Sequence, residues 1–185
     1  VRHAAIRPGD RVLVLGAGSV ALTTVWWAKR LGAGRVVAVS RAQSRAAMIK
    51  VMGADAFVQS GEAEIAEVAE ALGGPPDIVF ECVGAPGLLA QALGHVRPFG
   101  QIISMGFCTT PDAVIPGLAG SKCVRMAFPA GHTLRDFRYV ADVMAAGVLD
   151  GKPLVSSVVT LDELPAAFEA LRGPNTETKV HLTLV

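Results

Sequence analysis

The stretch Val12-Leu-Val-Leu-Gly16-Ala-Gly18-Ser-Val-Ala21 constrains the fold of this chain more than any other. A short apolar strand runs straight into a glycine-rich turn, and the turn opens a helix. Gly16 permits the tight turn. Gly18 carries no side chain, so a phosphate can come up to the backbone. Ala21 is small enough for the helix to pack close to the strand. The helix N-terminus adds unpaired N–H groups and the positive end of its dipole. Together these features predict a pyrophosphate-binding turn.

The residues around the turn extend the pattern. Strands are expected at Val12–Leu15, Arg35–Val39, Ala56–Val58, Asp77–Glu81 and Gln101–Met105. Helices are expected near 19–31, 42–52, 62–72 and 87–95, the third with its acidic residues facing outward. Short Gly/Pro stretches such as Gly73-Gly74-Pro75-Pro76 separate them. Strand–helix alternation of this kind implies βαβ units and a parallel sheet, and right-handed crossovers make it doubly wound. A content of 51% apolar residues with few aromatics suits an α/β protein whose sheet is buried on both faces.

The character changes after residue 106. Phe107–Gly120 reads as a Pro/Gly-rich loop and Lys122–Phe128 as a sixth, edge-like strand. Leu134–Gly147 reads as an amphipathic helix and Pro153–Leu161 as extended chain. Asp162–Leu171 reads as a helix capped by Asp162, and Lys179–Val185 as a last strand. This tail is not expected to continue the βαβ rhythm. The expected fold is therefore α/β, a doubly wound parallel sheet (Rossmann) over residues 1–128 with a C-terminal α/β extension over 129–185. With 185 residues the chain is long enough for one sizeable core plus part of a second domain.

Charge and cysteine usage narrow the function classes. A net charge of +1 argues against nucleic acid or an anionic membrane surface as partner. Cys82, Cys108 and Cys123 are far apart, odd in number and without C-x-x-C spacing, which reads as packed thiols in a reducing compartment. The N-terminus lacks a signal-peptide pattern. The uncharged run at 12–28 falls short of the ~18–20 residues that span a bilayer. A cytoplasmic protein is expected.

The end of the second strand indicates which nucleotide is held. An acidic residue there bonds a free ribose 2′-hydroxyl and selects NAD; a small polar residue with a nearby Arg accommodates a 2′-phosphate and selects NADP. Counting about 20 residues on from the turn leads to Val39-Ser40-Arg41. No Asp or Glu occurs between Asp10 and Asp55. Ser40 stands where the carboxylate would stand, and Arg41 and Arg45 are spaced so that both guanidiniums can reach one phosphate. NADP is expected, with NAD the alternative if these arginines merely make a solvated basic helix start.

At this point the chain resembles the medium-chain, zinc-type alcohol and polyol dehydrogenases. The resemblance rests on Arg7-Pro-Gly-Asp-Arg-Val-Leu-Val-Leu-Gly-Ala-Gly18, Gly53-Ala-Asp55, Asp77-Ile-Val-Phe-Glu-Cys-Val-Gly84 and Phe99-Gly-Gln-Ile-Ile-Ser-Met-Gly106. It continues through Pro153-Leu-Val, Thr160-Leu-Asp-Glu-Leu-Pro-Ala-Ala-Phe168 and Lys179-Val. The resemblance implies that Gly16, Gly18, Ser19 and Val20 form the pyrophosphate turn. It puts Cys82 and Val83 beside the adenosine, and Met105, Gly106 and Phe107 at the nicotinamide carboxamide. It also implies later contacts at Phe128 and Lys179. Ala21 replaces the family's third glycine, which its packing role tolerates.

The resemblance further implies an upstream domain with zinc ligands and a proton relay. This sequence has no counterpart of either, and the segment after about Pro129 is the part that completes that domain in the family. The implied function is the dinucleotide-binding portion of an enzyme that moves a hydride between an alcohol and NAD(P), not active alone. Zinc is expected only in the upstream domain. Small-molecule alcohols or carbonyls are the expected substrates of the intact enzyme. A homodimer through the edge strand near Cys123–Phe128 is expected, along with bare apolar faces beyond Pro129. Two other readings stay open: a stand-alone NADP-binding module without catalysis, and a zinc-free quinone reductase relative. A methyltransferase is disfavoured, because Ser40-Arg41 poorly suits the free ribose hydroxyls of its cofactor.

No residue is assigned to catalysis or metal binding. His3, His95, His132 and His181 are scattered and read as surface or structural histidines. Cys82 reads as packing, Glu81 as bonding to nearby backbone, and Thr133 as a helix N-cap. Ser104 and Tyr139 lack the Tyr-x-x-x-Lys pattern of short-chain reductases.

Overall fold

The computed structural model of the protein describes residues 1–173 and 175–184. They form two compact units, Val1–Ala130 and Gly131–Val185.

The first unit is built on six parallel strands: β1 (Arg11–Leu15), β2 (Arg35–Ser40), β3 (Ala56–Gln59), β4 (Ile78–Glu81), β5 (Gln101–Ser104) and β6 (Arg125–Ala127). Their order is β3-β2-β1-β4-β5-β6, so the direction of winding reverses between β1 and β4. Helices α1 (Ser19–Arg30), α2 (Ala46–Val51), α3 (Glu64–Leu72), α4 (Leu88–His95) and α5 (Pro116–Ser121) connect them. Side chains alternate along each strand, which sorts the core into two layers. Leu13, Leu15, Val37, Val39, Val79 and Ile102 pack with Val68 and Leu72 of α3 and Ala92 and Leu93 of α4. The intervening Val12, Val14, Val36, Ala38, Ile78 and Phe80 are fully buried on the other face, the side of α1. Burial on both faces explains why these strands read as apolar runs instead of alternating ones.

Two sequence expectations fail in this unit. The loop foreseen at Phe107–Gly120 contains α5, which starts with Pro116 in its first turn, a position where the missing N–H costs nothing. The third helix does not keep all its acids outward. Glu62, Glu67 and Glu70 are exposed, but Glu64 is buried because it shares the inward face with Val68 and Leu72 at i, i+4 and i+8.

The second unit contains α6 (Leu134–Ala145), β7 (Ser157–Val159), α7 (Leu164–Ala170) and β8 (Val180–Leu182). β7 and β8 pair in parallel across α7, so the tail does carry one further small βαβ unit. Thr133 caps α6 in a reciprocal box with Asp136, as its position before the helix implied. Asp162 does not cap α7. Glu163 instead accepts from the Thr160 amide at 2.8 Å and the Thr160 hydroxyl at 2.9 Å, and α7 begins two residues later than expected. The last strand is short, and Val185, its expected end, lies outside the described residues. Leu134, Phe137, Val158, Leu161 and Phe168 are exposed.

Candidate functional site

The chain leaves β1 through Gly16, whose φ of +118° lies in the region that favours glycine. Its amide donates to Val39 O at 2.8 Å, locking the turn to the end of β2. A Cβ at Gly16 would come within 3.1 Å of the Val83 side chain, whereas one at Gly18 would meet nothing within 4 Å. The backbone at Gly18, the N-cap of α1, is thus open to an approaching group. No acidic side chain occupies the first turn of α1 to compete for its amides.

These groups border a cleft of about 540 Å³ at the carboxyl ends of β1, β2 and β4. It opens where the strand order reverses, the place where open parallel sheets hold ligands. Gly16, Gly18, Ser40, Arg41, Arg45, Cys82 and Val83 all line it. Ser40 ends β2, and its hydroxyl accepts from the Ala42 amide at 3.3 Å, which turns the chain so that Arg41 is exposed on the rim. Arg45 follows at the end of a short 3-10 turn. Ser19 and Val20 form the start of α1, and Val20 is half exposed.

Met105, Gly106 and Phe107 follow β5. The amides of Met105 and Gly106 both donate to Glu81 O, at 2.7 and 3.0 Å. A Cβ at Gly106 would stand 2.5 Å from Gly84 Cα and 2.7 Å from Glu81 Oε2, so only glycine allows the two loops to touch. Glu81 is buried and ties these loops together. Its Oε1 accepts from the amides of Val83 and Gly84 at 2.6 and 2.7 Å, and its Oε2 accepts from Ser104 Oγ at 2.9 Å. The backbone-bonding role read from the sequence is the one observed, and its reach across to β5 is new. Phe107 and Phe128 are exposed. Lys179 lies in the second unit, where its amide and carbonyl bond Ser156.

Cys82 is no nucleophile in this setting. Burial pushes its thiol from 9.0 up to about 12, with the nearby Glu81 charge adding to the rise against a contact to Thr24. Among the described residues no cluster of three or more His, Cys, Asp or Glu could hold a metal ion. His95 is buried against Glu64, which is a structural placement.

Two polar cleft residues escaped the sequence reading. Ser60, just past β3, and Gln91, on α4, line the cleft, and both donate to Glu64 at 2.6 Å. Their only trace in the sequence is the i, i+4 spacing of Ser60 to Glu64 and of Gln91 to His95, which by itself has many structural explanations.

Comparison with known proteins gives this geometry a context. The family model described as zinc-binding dehydrogenase matches residues 5–145. Sorbitol dehydrogenase of Rattus norvegicus is 28% identical over 181 residues, covering 92% of this chain and 49% of that protein. Among solved structures, a chain from Sinorhizobium meliloti 1021 bound to NADP superposes with a TM-score of 0.87 at 24% identity, covering 98% of this chain and 54% of its own. An Escherichia coli alcohol dehydrogenase complexed with NADH superposes with a TM-score of 0.85 at 22% identity, covering 98% and 53%. The chain spans about half the length of the curated relatives it matches.

Proposed function

The chain belongs to the zinc-binding dehydrogenase family, and on that premise we propose that it is the nicotinamide-dinucleotide-binding portion of an alcohol or polyol dehydrogenase. The observation that carries the reading is the open Gly18 backbone on a cleft at the switch point of a parallel sheet. In size and position that cleft suits a dinucleotide. Sorbitol oxidation is the activity named for one relative, and a polyol is the substrate class it suggests.

We further propose NADP as the preferred cofactor. One chain of the same fold holds NADP and another NADH, so the fold does not choose between them. Ser40, Arg41 and Arg45 on the cleft wall support NADP: they offer donors and positive charge where NAD binding calls for a carboxylate.

The bound dinucleotide supplies the hydride chemistry, and the chain supplies binding and orientation. Gly16 and Gly18, with Ser19 and Val20, receive the pyrophosphate. Val83 and Cys82 form the wall beside the adenosine. Met105, Gly106 and Phe107, held against Gly84 through Glu81, present main chain to the nicotinamide carboxamide. Phe128 is a further contact in this proposal. None of the described residues is assigned to zinc or to a proton relay.

Gly131–Val185 is proposed to pack against a further domain, in keeping with its exposed Leu134, Phe137, Leu161 and Phe168. The free edge of β6 is proposed to pair with that of a second copy, and the compartment is proposed to be the cytoplasm.

Titration of the 185-residue chain with NADPH and NADH tests the cofactor reading. NADPH is expected to bind more tightly; equal or tighter binding of NADH would overturn the 2′-phosphate assignment.

A further inference from the structure

Helix α4 begins without a cap of its own. Its N-cap residue is Gly87, at φ +88°, which has no side chain to offer the first amides. The cap comes from a residue 25 positions further along the chain. Asp112 Oδ1 accepts from the Gly87 amide at 2.6 Å, and Asp112 Oδ2 accepts from the Leu89 amide at 3.4 Å. A carboxylate in that place also meets the positive end of the helix dipole.

Both sides of this contact bear on the proposed dinucleotide site. On α4, Leu88 stands between the two donating amides and lines the cleft with Ala85 and Pro86. On the other side, Asp112 belongs to the loop that leaves β5 through Met105, Gly106 and Phe107. That loop is fixed at its near end, where Gly106 lies against Gly84. Just past Asp112 it returns to the core through Val114. Between these points Cys108 bonds Thr110 within the loop, and Phe107 is exposed. Among the described residues, the hydrogen bonds that tie 107–114 to another element are the two accepted by Asp112.

We propose that Asp112 is a positioning residue for dinucleotide binding. It pins the loop to the start of α4, so that the main chain of Met105–Phe107 is in place for the nicotinamide carboxamide before the ligand arrives. The inference rests on the dinucleotide reading, with the carboxamide at those three residues. A segment held in advance binds without the entropy loss of ordering it. Asp112 touches no ligand in this account. The adenosine and pyrophosphate do not depend on it, because α4 keeps its place through the packing of Ala92 and Leu93.

The test is calorimetric titration of the 185-residue chain with NADPH and with 2′-phospho-ADP-ribose, which lacks the nicotinamide ring. The wild type should bind NADPH more tightly. Asp112→Ala should weaken NADPH roughly tenfold, the effect of about one well-made hydrogen bond, and leave the ring-less ligand within about twofold. The retained affinity for that ligand shows that the variant is folded. Asp112→Asn, whose amide oxygen still accepts from Gly87, should recover most of the loss. Equal losses for the two ligands, or no loss for either, would overturn the positioning role. So would an Asp112→Asn chain that binds NADPH no better than Asp112→Ala. A wild type that binds both ligands equally removes the carboxamide from Met105–Phe107, and this inference with it, while leaving the rest of the dinucleotide site standing. If neither ligand binds the wild type, the dinucleotide reading itself fails.

Discussion

Arg41 stands exposed at the end of β2, beside a serine and with no acidic residue between positions 10 and 55. Arg41→Ala should weaken NADPH binding by about 1.5–3 kcal/mol, the worth of one charge-assisted hydrogen bond, and leave NADH nearly unchanged. Parallel titrations check this, and an equal loss for both forms would remove the 2′-phosphate from the account. Glu81 shows the opposite economy. One buried carboxylate satisfies two amides of the loop after β4 and a hydroxyl at the end of β5. Glu81→Leu strands all three groups and should cost roughly 3 kcal/mol or more, read as a lowered midpoint in urea. Arg41 was legible in the sequence because its offset from the glycine turn sets its place. The reach of Glu81 was not, because Ser104 becomes its neighbour only when β4 and β5 pair.

At the scale of elements, α3 and α4 are coupled through Glu64, and the loop before β4 through Asp77. Burial alone would raise the pKa of both, but the hydrogen bonds of Ser60, Gln91 and His95 hold Glu64 lowered, and the Arg11 amide and the side chains of Arg97 and Arg11 hold Asp77 lowered. Both acids therefore bind protons more weakly folded than unfolded. Their contribution is complete above the unfolded values, about 4.5 for Glu64 and 3.8 for Asp77. It is lost as pH falls through the lower folded values. Thermal unfolding followed by circular dichroism should show the midpoint dropping as pH falls below about 4.5. An unchanged midpoint down to pH 3 would mean that these two networks do not favour the folded state. The helix α3 also shows where residue type misleads. Read as an acid, Glu64 belongs outside. Read by period, it shares a face with Val68 and Leu72, and the period prevailed because the side chains around it supply its hydrogen bonds.

At the scale of the whole molecule, every residue lining the cleft falls between Leu15 and Gln91, within the first compact unit. A chain of residues 1–130 should therefore fold cooperatively and bind NADPH within a few-fold of the 185-residue chain. A large loss of affinity would instead give Lys179, or another residue of the second unit, a direct part in binding. Among the described residues no helix is long and apolar enough to cross a membrane.

By itself the sequence determined the kind of fold, the alternation of strands and helices from β1 to β5, and the glycine turn with Ser40 and Arg41 placed beside it. All of these depend on short spacings and on local conformational preferences, which a linear pattern records. Only the tertiary structure decided that Gly106 must lie against Gly84, that Glu81 binds two loops, and that Ser60 and Gln91 share a carboxylate on the wall of one cleft. Those pairings join residues up to 31 positions apart, as Glu64 and His95 are. Sheet register and helix packing bring them together, and neither is written in any one stretch of chain.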